Sequence, residues 1–143
     1  MSIWFAPVTL EAVKQFSETN MITHLGIEFT EIGDDYIKAK MPVDHRTHQP
    51  VGLLHGGASV VLAESLGSTG AFLSVDPSKK SCVGIEINAN HVRGVREGYV
   101  EGITRPIHLG RSTQVWETRI FNEAGKIVCI SRITIAVIDL PKK

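Results

Sequence analysis

The sequence predicts an α+β fold in which an antiparallel sheet wraps around one long central helix. Two observations carry this reading. The run from about His55 to Val75 is small or apolar almost throughout and has the length of a helix. Strand-like segments lie on both sides of it, two before and up to four after, separated by turn residues. A helix apolar on every side has to be covered on every side. One sheet covers only one side, so a second subunit is the simplest source of the remaining cover.

The elements follow in order. "TLEAVKQF" (9–16) predicts a short helix with Thr9 as its N-cap and Leu10, Val13 and Phe16 as an apolar stripe. "HLGIEFTEI" (24–32) reads as a strand, closed by a turn at Gly33-Asp34-Asp35. "YIKAKMPV" (36–43) alternates, with Ile37, Ala39 and Met41 on one side and Lys38 and Lys40 on the other. Residues 44–54 form a loop containing Pro50 and Gly52. After the long helix, "CVGIEINANHV" (82–92) places Val83, Ile85, Ile87 and Ala89 on one face. Segments 98–107, 112–121 and 126–138 are further strands, the last two joined by the hairpin "NEAGK" with Gly125 suited to positive φ. There is no internal repeat or linker, and residues 1–143 read as one domain.

Composition narrows the partners. Of 143 residues, 15 are Lys or Arg and 15 are Asp or Glu, so the formal net charge is zero. No global field draws such a chain to nucleic acid or to an anionic membrane. Any anion must be recognised by a local group of basic residues. The N-terminus lacks the basic and apolar regions of a signal peptide, and Cys82 and Cys129 lack metal-site spacing, so the chain reads as cytoplasmic with reduced, buried thiols. The Leu53–Val75 run contains His55, Glu64 and several glycines and serines, and reads as buried in protein rather than in a bilayer.

Glu64 needs an explanation. It is the one formally charged residue between Arg46 and Asp76. A carboxylate among apolar groups is costly unless it is hydrogen-bonded, solvated in a cleft or protonated. On a helical wheel Gly57, Val60, Val61, Gly67, Ser68 and Ala71 fall within about 60° of it, while Leu62, Leu66 and Leu73 form a sheet-facing stripe on the far side. Glu64 thus projects from a face of small residues that something else approaches, a ligand or another subunit. Pairing with a strand-borne cation is the structural alternative. "HGGAS" places two glycines in the first helical turn, where N–H groups have no internal partner and favour a developing oxyanion. Gly56 precedes Glu64 by eight residues, roughly 12 Å along the axis.

"HQPVGLLHGGASVVLAESLGS", "GIEINANHVR" and "PIHLGRSTQVW" together resemble the hotdog-fold acyl-CoA thioesterases of the branch with a helix-borne glutamate. The resemblance runs from about Thr9 to Ile138, and is especially close to the bacterial thioesterases that act on 1,4-dihydroxy-2-naphthoyl-CoA in menaquinone synthesis, which are themselves similar to aryl-CoA thioesterases. The resemblance implies a hotdog fold and a hydrolase with no cofactor and no metal. Glu64 would be nucleophile or general base, and Gly56 N–H would polarise the thioester carbonyl. Gln49 and His55 would orient the thioester, and Ser68 would hold the nucleophile or its water. Coenzyme A would lie against Gly84, against "HVRG" (His91, Val92, Arg93, Gly94) and against "HLGRST" (His108, Leu109, Gly110, Arg111, Ser112, Thr113). Arg93 and Arg111 are the phosphate partners this implies. It also implies sites between subunits of a dimer with continuous sheets, doubled into a homotetramer. Other readings stay open at this level: a medium-chain or β-hydroxyacyl-CoA thioesterase, a hotdog dehydratase using His55 and Glu64, or an acyl-CoA sensor. His45, His48 and His55 lie on a loop without the helical pairing of a metal site.

Overall fold

A computed structural model describes residues 1–143. Helix α1 (Leu10–Gln15) starts where Thr9 accepts the Ala12 N–H at 3.2 Å, and it buries Val13. The expected strand over 24–32 is shorter and later. Asn20 accepts the Ile22 N–H at 3.0 Å and caps a one-turn helix, α2 (Met21–His24), which Gly26 follows with φ 74°. Strand β1 (Glu28–Ile32) begins only after that. In β2 (Ile37–Pro42) the alternation holds: Ile37, Ala39 and Met41 are fully buried.

Helix α3 (Gly56–Leu73) is followed by β3 (Lys80–His91), β4 (Tyr99–Leu109), β5 (Thr113–Asn122) and β6 (Ile127–Asp139). All adjacent strands are antiparallel, in the order β1-β2-β4-β5-β6-β3. The β5–β6 hairpin closes as the sequence predicts, with Gly125 at φ 74° and its N–H donating to Asn122 O at 2.9 Å. Strand β3 has no neighbour on its outer side.

Helix α3 lies across one face of this sheet and touches β2 through β6. Leu62 and Leu66 are fully buried against it, as the stripe predicts. The small-residue face divides, however. Gly67 and Ala71 are buried, whereas Gly57, Val60, Val61 and Ser68 retain solvent contact. The reason is close approach to the sheet. A Cβ on Gly67 would lie 2.6 Å from Ile133 Cγ2, and one on Gly70 would lie 2.6 Å from the Trp116 ring. Trp116 is fully buried, stacks at 6.3 Å on Trp4, and donates from Nε1 to Gln114 Oε1 at 2.8 Å. Gln114 passes the chain on to Ser74 at the C-terminus of α3, at 3.0 Å.

The expected single apolar face of β3 is also corrected. A bulge between Gly84 and Glu86 shifts the register, so Ile87 pairs with buried Ile133 while Val83 pairs with Ala136 on the opposite face. Val83 and Ile85 are exposed at 47% and 63%. Cys129 is buried and Cys82 half-buried, both are free, and burial pushes both thiols above their usual range.

Gly70→Ala tests the close packing of α3. Alanine favours the helix by about 1 kcal/mol, but overpacking a core of this kind costs about 1–3 kcal/mol. A lower melting temperature is expected; a higher one would show that the Trp116 ring has room to retreat.

Candidate active site

The loop from Asp44 to His55 is built to hold the start of α3. Thr47, buried, donates its hydroxyl to Pro42 O at 2.7 Å and so ties the loop to the end of β2. Thr47 O accepts the His55 N–H at 2.8 Å. Leu54 N–H donates to Val95 O at 2.8 Å, and the His48 ring Nε2 meets Arg96 O at the same distance. At the head of the loop the Arg46 guanidinium grips Asp44, Nη2 to Oδ2 at 2.7 Å. That contact holds the Asp44 carboxyl at about 2.

These anchors set the geometry of the helix N-terminus. His55 is the N-cap, and its Nδ1 accepts the Gly57 N–H at 2.7 Å. The ring is therefore the tautomer with its proton on Nε2. Ala58 and Ser59 N–H both turn back to His55 O. Gly56 N–H is left as the one first-turn donor with no acceptor inside the chain. A Cβ on Gly56 would stand 2.9 Å from His91 Nε2, so a side chain there would push the His91 ring aside. The three loop histidines are thus engaged separately: His48 with Arg96, His55 with Gly57, and His45 exposed beside Asp44.

A cavity of about 460 Å³ opens in front of Gly56. Gln49, Gly56, His91, Val92, Arg93 and Gly94 all line it, together with Leu53, Leu54, Ser59 and Val128. Six residues singled out in the sequence therefore meet. Gln49 spends its Oε1 on Val51 N–H, at 2.5 Å, and Arg93 Nε donates to Ile127 O at 3.3 Å. Leu53 and Ser59 were not among the residues assigned to the site from the sequence; Ser59 is buried within the first turn of α3.

Glu64 is not in that cavity. It is exposed, and a Cβ on Gly84 would lie 3.4 Å from its Oε1, so the carboxylate leans over β3 where the strand is bare backbone. Ser68, one turn on, is half-buried. Within one chain the helix start and Glu64 stay separate along α3. The segment from His108 to Thr113 is elsewhere again, at the β4–β5 turn, where Gly110 N–H closes on Thr113 O at 2.9 Å. Thr113 pairs with Ala136, the same residue that pairs with Val83, so this turn lies level with the first half of β3, across β6, and away from His91.

This layout is that of the hotdog fold, and comparison with known proteins agrees. A family model described as the thioesterase superfamily matches residues 51–129. The 1,4-dihydroxy-2-naphthoyl-CoA hydrolase of Escherichia coli K12 is 54% identical over 95% of this chain and 99% of its own. A proofreading thioesterase of Cronobacter turicensis is 50% identical over 94% and 98%. The crystal structure of a variant thioesterase from Pseudomonas aeruginosa superposes with a TM-score of 0.95, at 51% identity, over 97% of this chain and all of that one. The chain belongs to the thioesterase superfamily, and its fold is the hotdog α+β fold of those thioester hydrolases. No helix is long and apolar enough to cross a membrane.

The Asp44–Arg46 clamp gives a pH test. Its folded-state value is depressed from 3.8 to about 2, so its stabilisation is present above the ordinary carboxylate value and is lost as pH falls through about 2. The melting-temperature gap between wild type and Asp44→Asn is expected to be constant from neutral pH down to mildly acidic pH, then to close over that window. A gap that persists in strong acid would mean that Asp44 acts through its backbone turn and not through its charge.

Proposed function

We propose that this protein hydrolyses an aromatic acyl-CoA, of the 1,4-dihydroxy-2-naphthoyl or benzoyl type, to the free acid and CoA. The free Gly56 N–H, open to a cavity that also holds Gln49, His91 and Arg93, is the observation that carries the reading. It is a ready donor for a carbonyl oxygen that becomes an oxyanion, a contact typically worth about 3 kcal/mol at the transition state. The 54% identity to the naphthoyl-CoA hydrolase supports the aromatic acyl group.

Glu64 supplies the attack. As general base it takes a proton from water, the oxygen adds to the thioester carbon, and collapse expels the CoA thiolate, which recovers the proton. As nucleophile its carboxylate oxygen adds directly, CoA thiolate leaves, and water hydrolyses the mixed anhydride. Either route needs only a carboxylate, because the thiolate is a good leaving group. Gln49 and the outward Nε2–H of His55 orient the thioester, and Ser68 holds the attacking group or its water.

The two halves meet in a dimer. The unpaired outer edge of β3 is the place where two chains join, antiparallel, into one continuous sheet. That pairing runs the Lys80 end of one β3 beside the His91 end of the other. It carries Glu64, which leans over Gly84, toward the partner's Gly56 and Gln49. It also sets the 108–113 turn of one chain near Arg93 of the partner subunit, which gives CoA a channel between subunits. Two such dimers form the tetramer.

The test is thiol release from a panel of dihydroxynaphthoyl-, benzoyl-, hydroxybenzoyl-, hexanoyl- and β-hydroxybutyryl-CoA by wild type and Glu64→Ala. Aromatic thioesters are expected to lead the panel, and Glu64→Ala is expected to lose about 10²–10⁴-fold. Equal rates in the two proteins would make Glu64 structural; no release by either would favour a sensor or a dehydratase. Single-turnover hydrolysis in labelled water separates the routes, since label in the enzyme carboxylate marks the anhydride.

A further inference from the structure

Phe16 and Phe72 form an edge-to-face pair, with ring centroids 6.1 Å apart and planes at 72°. The Trp4–Trp116 stack belongs to the core. The phenylalanine pair does not: Phe16 is 69% exposed and Phe72 43%. Their contact leaves a shared apolar surface in water, which costs free energy until something covers it. Both backbones are fixed. Phe72 stands in the last turn of α3. Phe16 is the C-cap of α1, which is anchored by buried Val13, and its carbonyl accepts the Asn20 Nδ2–H at 2.8 Å.

The pair stands on the face of α3 that carries Glu64. Glu64, Ser68 and Phe72 follow one another at four-residue steps, and residues so spaced lie one above the other on a helix. Eight residues separate Glu64 from Phe72, roughly 12 Å along the axis. A helical phenylalanine leans back over the turn before it. Its ring therefore stands about one turn beyond Ser68's neighbour Glu64, within the span of a bicyclic group whose thioester carbon the carboxylate attacks. The two flanks of this face differ. The carboxylate leans over Gly84 of β3, at one edge of the sheet. Phe16 arrives with α1, which packs on β1, at the opposite edge. A partner joined at β3 thus comes to the carboxylate's flank, and the rings are left facing the ligand.

We propose that Phe16 and Phe72 clasp the acyl group of the thioester, with Phe16 as the residue that sets the preference for an aromatic acyl group over an aliphatic chain. The inference rests on the thioesterase reading above. An aromatic acyl group adds a ring to two that are already set edge to face, and gains ring–ring contacts beyond the burial that an alkyl chain also gains. Phe72 is held by its helix, whereas Phe16 reaches the face from a separate element, so truncating Phe16 opens one side of the clasp and leaves α3 intact.

The test compares kcat/KM for benzoyl-CoA and hexanoyl-CoA in wild type, Phe16→Ala and Phe16→Tyr, with calorimetric titration of 1-hydroxy-2-naphthoate alongside. Phe16→Ala is expected to lower the benzoyl-to-hexanoyl ratio by about 3–10-fold and to weaken naphthoate by a similar factor. Phe16→Tyr keeps the ring and is expected to keep both. Because Phe16 is mostly exposed, both variants are expected to unfold near the wild-type midpoint and to keep the wild-type mass in solution. Hydrolysis by Phe16→Ala at the wild-type ratio would overturn the clasp and leave the thioesterase reading standing. A lower ratio that comes with a changed mass would make Phe16 a subunit contact and also overturn it. Naphthoate binding that Phe16→Ala loses, in a wild type that hydrolyses no thioester, would keep the clasp and remove that reading. A wild type that neither hydrolyses a thioester nor binds naphthoate would overturn both.

Discussion

The outer edge of β3 is the constraint on which the rest turns. It is twelve residues long, has no hydrogen-bond partner on that side, and carries Val83 and Ile85 exposed beside it. An edge of that length and character invites pairing. The candidate site follows the same edge. Glu64 leans over β3 at Gly84, where the absent side chain lets the carboxylate approach, and Gly56 stands against His91 near the strand's other end. One strand thus passes beneath both Glu64 and Gly56, which a single chain keeps apart.

The helix above it is held in place from both ends. At its start Thr47 and His55 pass the restraint from β2 to the first turn, so that Gly56 N–H alone is left over. At its end Ser74, Gln114 and Trp116 form a buried hydrogen-bonded chain, with Gly67 and Gly70 letting the helix sink against Ile133 and Trp116. Such support suits the oxyanion donor proposed for Gly56, because preorganised dipoles need no rearrangement at the moment of reaction.

Much of this was legible in the sequence because the signals were local. The period-2 pattern at Ile37, Ala39 and Met41, the Thr9 cap and the Gly125 turn each act over a few residues, and each appears in the structure. The free Gly56 N–H was legible for the same reason: two glycines and a helix start coincide in five residues. What was hidden depends on partners far along the chain. The start of the expected 24–32 strand looked extended because Leu25 and Ile27 are apolar, and only the Asn20 cap and Gly26 mark the helical turn that precedes β1. The β3 bulge inverts Val83 and Ile85, and Gly84 beside it is its one local mark. Gly67 and Ala71 looked free on a helical wheel because the wheel has no sheet to press against them.

The central claim is that Glu64 of one chain works on a thioester held by the partner's Gln49 and Gly56, and subunit complementation tests it most directly. Glu64→Ala and Gln49→Ala proteins, each of low activity alone, would be unfolded together, refolded as a mixture, and assayed for thioester hydrolysis. In a mixed dimer with shared sites, both lesions fall in one site and the other site is intact, so activity is expected to return well above that of either parent. Mixed dimers that form, verified by mass, yet stay as inactive as the parents would place Glu64 and Gln49 in the same chain's site and contradict the account.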